Sequence, residues 1–215
     1  GSEMCIRDRY ESYVNDGSYK SYFKVDEYQA KREKYLSDKA LLEVYRGKDT
    51  VTADGAKVHL YGNIGNPEDA KQVAACDGEG VGLFRTEFLF MGASELPSEE
   101  EQFQAYKAAA ETMEGREVII RTLDVGGDKD IPSLGLEKED NPFLGFRAVR
   151  YCLRNKDSYR VQLRALLRAS AFGDIKIMVP LVTCVDEIRS VKALVKELMA
   201  ELDAENIACL LYTSD

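Results

Sequence analysis

The sequence contains few cysteines and no paired-cysteine motif. Five of its 215 residues are cysteine, and no two of them form a CxxC pair. The spacing therefore indicates neither a disulfide framework nor a zinc site. We expect the three cysteines inside the chain, Cys76, Cys152 and Cys184, to be buried free thiols of a cytosolic protein.

Long apolar runs and an excess of positive charge are also lacking. No apolar stretch is long enough to span a bilayer, and no secretion signal is recognisable. The net charge of −9 argues against a general nucleic-acid binder but leaves room for a local cationic pocket. Hydrophobic residues make up 45% and charged residues 31%, which is typical of a globular domain. We therefore expect a cytoplasmic protein that binds neither nucleic acid nor membrane.

The two ends of the sequence differ from the rest. Residues 4–9 read MCIRDR and residues 209–214 read CLLYTS. The DNA stretch ATG TGT ATA AGA GAC AG encodes most of the first, and its reverse complement in a shifted frame encodes most of the second. We interpret residues 1–9 and 209–215 as translated sequencing adapter and exclude them from fold reasoning. The remainder is predicted to be a fragment of a longer gene.

Between these ends, apolar runs alternate with helix-forming segments. Residues 24–46 predict an amphipathic helix that ends at Gly47, and the Asp-Gly pair in 51–56 predicts a short hairpin. The predicted strands are 57–65, 80–84, 117–122 and 175–182. The predicted helices are 66–77, which has an Asn cap and a Pro, 97–114, which has a Ser98–Glu101 capping box, 145–171 and 184–205. Nearly continuous apolar strands that alternate with helices predict an α/β fold with a parallel sheet, either a doubly wound open sheet or a (β/α)8 barrel.

Two arginines directly follow the apolar residues of two successive strands. Arg85 interrupts the stretch VGLFRTEFLF, and Arg121 follows VII. In either α/β architecture ligands bind at the carboxyl ends of the strands, and arginine binds phosphate or carboxylate through two parallel hydrogen bonds. The pair therefore predicts a site for a small anion. The alternative is that Arg85 forms a structural ion pair with Glu87 or with another acid at the rim.

Four motifs occur in order along the chain and together resemble a known family. They are GVGLFRTEFLFM, RTLDVGGDK, NPFLGFRAVR and LRASAFGDIKIMVPLV. Over about residues 24–208 the chain resembles enzyme I of the bacterial phosphotransferase system, the phosphoenolpyruvate–protein phosphotransferases. The RTE motif alone is shared with pyruvate phosphate dikinase and phosphoenolpyruvate synthase, whereas RTLDVGGDK followed by NPFLGFRA looks like enzyme I.

The resemblance implies a fold and a domain organisation. Residues 51–208 would form the first half, about four βα units, of a phosphoenolpyruvate-binding (β/α)8 TIM barrel. Residues 10–50 would be the helical linker from a missing N-terminal phosphohistidine region. A barrel cut after its fourth strand exposes two sheet edges and an apolar layer, so the chain alone is expected to be poorly folded or self-associating.

The resemblance also implies roles for four basic residues. Arg85 and Arg121 match the two arginines that hold the phosphate of phosphoenolpyruvate in the family. Lys129 and Arg147 match basic positions that line the same barrel mouth. If the two strands that precede Arg85 and Arg121 are neighbours, both side chains should face this mouth, with guanidinium groups within roughly 10 Å of each other.

No catalytic residue is predicted within the sequence. In the family the phosphorylated histidine lies upstream, and the Mg²⁺-binding acids and the proton-donating cysteine lie on later strands, beyond residue 208. The one histidine, His59, is predicted to have a structural role in the first strand. Glu87, Asp124 and Asp128 are predicted to form ion pairs at the rim. The chain alone is therefore expected to be inactive.

Three functional interpretations remain open. The first is a fragment of a phosphotransferase that passes the phosphoryl group of phosphoenolpyruvate to its own histidine, and then to the histidine phosphocarrier protein for sugar uptake. The second is a fragment of a sibling dikinase or synthase. The third is a non-catalytic half-barrel that acts as an interaction module, because the family barrel forms homodimers.

Overall fold

The chain divides into two units. The computed structural model describes residues 25–91, 95–126, 134–135, 139–141 and 144–210. The units are Gly1–Lys48 and Asp49–Asp215. In the first unit, helix α1 spans Val25–Leu42 and continues as a 3-10 turn over Glu43–Tyr45, which confirms the predicted helix.

The second unit is built on a four-stranded parallel sheet. Its strands are β1, Tyr61–Ile64; β2, Gly80–Arg85; β3, Val118–Arg121; and β4, Ile175–Met178. They lie side by side in chain order, and each neighbouring pair is parallel. A doubly wound sheet reverses its strand order at its ligand-binding crevice, whereas a barrel places consecutive strands next to one another. The predicted α/β class, with the strand order of four consecutive barrel units, is confirmed.

Helices connect these strands. They are α2, Pro67–Ala75; α3, Glu87–Phe90; α4, Glu99–Thr112; α5, Ala148–Arg154; α6, Lys156–Ala169, which continues as a 3-10 turn over Ser170–Phe172; and α7, Val185–Ala204. The predicted caps are present at α2 and α4, where the side chains of Asn66 and Ser98 accept from backbone N–H groups of the first turn. Among the described helices, none combines the length and the apolar character that a bilayer span requires.

Several predicted boundaries shift. The hairpin predicted at 51–56 is reduced to one antiparallel bridge between Val51 and Lys57, around a turn in which Gly55 has φ +89°. The first strand begins at Tyr61 rather than at residue 57. The region 145–171 forms two helices that meet at Asn155. Helix α3, which directly follows β2, was not predicted.

The helices cover one face of the sheet. Ile64, Phe84 and Ile120 point to this side and are fully buried, and the ring of Phe84 meets the ring of Tyr106 on α4 at 5.9 Å between centroids. Gly62 has no side chain where α2 packs, and a Cβ there would lie only 2.2 Å from a methyl group of Val73. Side chains alternate along a strand, so Arg85 and Arg121 belong to the opposite face.

The face opposite the helices is less well covered. Tyr61 on β1 and Met178 on β4 lie on it and are 40% and 37% exposed. Ile119 on β3 lies there too and is half-buried. A sheet with helices on one side and a partly open second side is the arrangement expected for part of a barrel, whose inner layer is completed by the remaining strands.

Candidate anion-binding site

The two arginines that follow the apolar strand residues lie next to each other. Arg85 is the last residue of β2 and Arg121 the last of β3, and the two are paired in the parallel ladder. Paired residues of neighbouring parallel strands are about 4.8 Å apart in the hydrogen-bonding direction and point to the same face. The prediction that both arginines meet at one edge of the sheet is therefore confirmed. The distance between their guanidinium groups stays a prediction.

Two carboxylates hold Arg121. Its Nη2 donates to Glu87 in the first turn of α3, and its Nη1 lies 3.0 Å from Asp124 Oδ2. All three side chains are at least four-fifths buried. The predicted rim ion pairs of Glu87 and Asp124 are thus confirmed, whereas the alternative pairing of Arg85 with Glu87 is wrong, because Glu87 turns toward β3.

Arg147 joins the same cluster from the other side of Asp124. Its Nε and Nη2 donate to Asp124 Oδ1 at 3.1 and 2.9 Å. Arg147 is only 4% exposed and lies just before α5, where its extended backbone and the left-handed Ala148 (φ +51°) turn the chain into the helix. Asp124 therefore links the guanidinium groups of Arg147 and Arg121.

Arg85 differs from the other two arginines. Its Cζ lies 5.0 Å from the centre of the Phe88 ring, a cation–π contact. Within the described part of the chain it has no ion pair, and its buried Nε has no acceptor. The buried Nε of Arg121 also lacks an acceptor there. Because buried donors are nearly always satisfied, these two donors at adjacent strand ends are available to an acceptor that a ligand can supply.

The charges of this cluster favour an anion. Three guanidinium groups, those of Arg85, Arg121 and Arg147, face two carboxylates, Glu87 and Asp124. Counted over the described residues, the cluster has one more positive than negative charge, and within that part of the chain Arg85 is the arginine without an ion pair. A phosphate or carboxylate group at the strand ends would complete the pairing.

Lys129, predicted to line the barrel mouth, and Asp128, predicted to form an ion pair at the rim, lie outside the described residues. Over the described ranges no three His, Cys, Asp or Glu side chains are grouped as a metal ion would require.

The histidine lies far from the two arginines. His59 precedes β1, so its predicted place in the first strand is wrong; it is exposed and contacts the carboxylate of Glu79. The first residue of β1, Tyr61, pairs with Gly80 at the start of β2. Five residues of strand, about 16 Å, then separate Gly80 from Arg85. His59 is therefore at the amino-terminal edge of the sheet, opposite the cluster.

The cysteines correct one prediction. All three are free, but only Cys152 is buried, whereas Cys76 and Cys184 are exposed. Burial, helped by the nearby charge of Asp124, raises the pKa of the Cys152 thiol to about 12. A thiol with so high a pKa is almost entirely protonated at neutral pH and is a poor nucleophile.

Thiol labelling checks this difference. In the folded protein at pH 8 we expect iodoacetamide to modify Cys76 and Cys184 within minutes, and Cys152 only after denaturation, because burial blocks both access and ionisation of its thiol. Peptide mass spectrometry measures each site separately. Labelling of Cys152 as fast as of Cys76 without denaturant would contradict its burial.

Sequence reasoning missed the residues beneath the arginines. Thr86 and Thr122 follow Arg85 and Arg121, and both are fully buried. The hydroxyl of Thr86 donates to the backbone carbonyl of Arg121 at 2.8 Å, so it ties the end of β2 to the end of β3. The repeated Arg-Thr dipeptide after two successive strands was the signal available in the sequence.

Comparisons with known proteins identify the family of the chain. The sequence pattern of the family described as "PEP-utilising enzyme, PEP-binding domain" matches residues 39–210. Phosphoenolpyruvate-protein phosphotransferase of Priestia megaterium is 53% identical over 183 residues, which are 85% of this chain and 32% of that protein. The proteins of the same name from Staphylococcus carnosus and Bacillus subtilis are each 52% identical, over 84% and 80% of the chain and 32% and 30% of their own lengths. The chain thus spans about a third of these relatives and, by its match to the domain pattern over residues 39–210, belongs to the family of PEP-utilising enzymes with the PEP-binding domain.

Proposed function

We propose that the chain is part of the phosphoenolpyruvate-binding barrel of a phosphoenolpyruvate–protein phosphotransferase, enzyme I of a bacterial phosphotransferase system. One observation carries the proposal. Arg85 and Arg121 end neighbouring strands in register, and each has a buried Nε donor without an acceptor among the described residues. The names of the relatives, which match over 80% or more of the chain, support the choice of substrate.

In this proposal the two arginines hold the phosphate of the substrate. Their Nε and Nη groups donate to phosphate oxygens, and their positive charges stabilise the charge on those oxygens as the phosphoryl group leaves. The P–O bond to the enol oxygen breaks and a P–N bond to a histidine forms. The enolate that remains takes up a proton and becomes pyruvate. Lys129 and Arg147 are proposed to border the same mouth.

The other parts of the reaction are proposed to lie outside the described residues. These are the histidine that accepts the phosphoryl group, the acids that bind Mg²⁺ and the cysteine that protonates the enolate. We further propose the histidine phosphocarrier protein as partner, homodimers formed through the barrel, a cytoplasmic location and a role in sugar uptake. We also propose that residues 10–50 form a helical linker, that residues 51–208 form the partial barrel, and that residues 1–9 and 209–215 are of adapter origin.

A chimeric enzyme tests the function. Residues 39–208 of this chain replace the matching segment of the Priestia megaterium relative, so that the upstream and downstream parts are present. We expect the chimera to phosphorylate the histidine phosphocarrier protein from phosphoenolpyruvate within about tenfold of the parent rate. A chimera that folds, as judged by circular dichroism and a cooperative melt, and yet does not use phosphoenolpyruvate would contradict the proposal.

The chain by itself should give a different result. Incubated with ³²P-phosphoenolpyruvate and Mg²⁺, it is expected to acquire no acid-labile label, because His59 lies at the edge of the sheet opposite Arg85 and Arg121. The chimera is the positive control, since it carries the histidine of its parent. Acid-labile label on His59 would overturn the assignment of the phosphate site to the two arginines.

A further inference from the structure

A hydrogen-bonded network of buried polar side chains lies beneath the two arginines. Gln102 and Tyr106 on α4, Gln162 on α6 and Thr86 after β2 are each at most 1% exposed. They are joined by hydrogen bonds of 3.0–3.3 Å. The side-chain amide of Gln162 is at the centre of this network, and it contacts Tyr106, Thr86 and the backbone of Leu123.

Backbone groups fix the direction of every hydrogen bond in this network. The N–H of Leu123 can only donate, and it lies 2.9 Å from Gln162 Oε1, so the amide nitrogen of Gln162 must face Tyr106 and Thr86. At the other end, the carbonyl of Pro97 can only accept, and it lies 2.9 Å from Gln102 Nε2. Gln102 Oε1 therefore accepts from the hydroxyl of Tyr106.

The Gln162 amide thereby determines what the hydroxyl of Thr86 does. Because Gln162 Nε2 donates to Thr86 Oγ1 at 3.2 Å, the hydroxyl hydrogen of Thr86 is directed to the carbonyl of Arg121, 2.8 Å away. Burial raises the pKa of Tyr106 far above its usual value, so its phenol stays protonated; it donates to Gln102 Oε1 and accepts from Gln162 Nε2.

One side chain thus holds the ends of both strands. On β3, Gln162 binds the N–H of Leu123 directly and the carbonyl of Arg121 through Thr86. On β2, it binds Thr86, the residue after Arg85. The backbone of both arginines is therefore fixed with respect to the side-chain amide of Gln162. This amide belongs to α6, which follows both strands in the sequence.

We propose that Gln162 is a positioning residue for the phosphate site, acting through Thr86 and Leu123 on the strand ends that carry Arg85 and Arg121. The inference rests on the proposed function, since it assigns to Gln162 the alignment of the two arginines on the phosphate of phosphoenolpyruvate. Small displacements of charged groups that hold a phosphate weaken their contacts with it both in the bound complex and during the reaction, and residues that fix such groups from behind are part of a preorganised site.

The test compares two buried glutamines in the chimera. Gln162→Met keeps side-chain length but removes all three hydrogen bonds. Gln102→Met is the matched control, because Gln102 is equally buried in the same network but contacts neither strand end. With both variants fully folded at the assay temperature, we expect Gln162→Met to raise the KM for phosphoenolpyruvate about tenfold and Gln102→Met to change it less than twofold.

Thr86 gives an independent readout. Thr86→Val removes the hydroxyl and should raise KM, and Thr86→Ser should restore it. The double variant with Gln162→Met should be no worse than Gln162→Met alone, because Thr86 acts only through the hydroxyl that Gln162 orients. An unchanged KM in Gln162→Met, or an equal rise in Gln102→Met, would overturn the proposal. If Arg85→Met leaves activity intact, the proposed function itself fails; if Arg85→Met lowers activity strongly while Gln162→Met leaves KM unchanged, only the positioning role fails.

Discussion

Replacing Arg85 with methionine in the chimera is expected to lower kcat/KM for phosphoenolpyruvate by about 10³-fold, the scale seen when one preorganised charge-stabilising group is removed from an active site. The stability should hardly change. Arg85 has no ion pair within the described ranges, and the contact with the Phe88 ring that it would lose contributes about 1 kcal/mol at most. A residue that costs activity without costing stability is one whose charge is matched by the substrate.

Arg164 provides the control for this variant. It is another partly buried arginine, on α6, and its guanidinium contacts Glu99 and Glu205 on the neighbouring helices, on the opposite side of the sheet from Arg85. Arg164→Met should retain the kcat/KM of the unmodified chimera and lose some stability. The phosphate assignment would be wrong if Arg85→Met kept full activity, or if it lowered the melting temperature by as much as Arg164→Met.

The strand ends could be predicted from the sequence because their signal is local. Apolar runs of the right length stop at charged residues, and parallel strands bring such residues to one edge of a sheet. The caps of α2 and α4 could be predicted for the same reason, since Asn66 and Ser98 each lie within one turn of their partners. A family resemblance then added the identity of the anion.

The partner of Arg121 could not be predicted in this way. Along an extended strand, residues two apart point to the same face, which made Glu87 the alternative partner of Arg85. Thr86 instead has helical backbone angles, and α3 begins at Glu87. That turn carries the Glu87 carboxylate over to Arg121 on the next strand. A helix of four residues is too short for its periodicity to be recognised in a sequence.

Gln162 could not be predicted for a different reason. In the sequence it is a polar residue within an amphipathic helix, and nothing local separates it from the exposed polar residues of α6. Its burial and its contact with Thr86 depend on how α6 packs behind β2 and β3.

Similarly, composition alone could not separate buried Cys152 from exposed Cys76 and Cys184.

The largest expected effect on stability is that of Asp124→Asn in the chimera. Asp124 Oδ2 pairs with Arg121 and Oδ1 accepts two hydrogen bonds from Arg147. An asparagine has one oxygen and one NH2 group, so its NH2 must face one of the two guanidinium groups, donor against donor. Breaking an ion pair this well buried costs about 3 kcal/mol. For a domain of this size that lowers the melting temperature of the barrel transition by about 10 °C.

The same substitution at an exposed site separates charge loss from burial. Asp186 pairs with Arg189 on the surface of α7, where both side chains are at least three-quarters exposed, and Asp186→Asn should cost less than about 0.5 kcal/mol.

A double-mutant cycle of Asp124→Asn with Arg147→Met tests the contact between Asp124 and Arg147 itself. We expect a coupling of about 1–3 kcal/mol, because the one side-chain oxygen left by Asp124→Asn can turn to Arg121 once the guanidinium of Arg147 is gone. Additive effects of the two substitutions, or an Asp124→Asn variant as stable as Asp186→Asn, would mean that Asp124 does not hold the two arginines together.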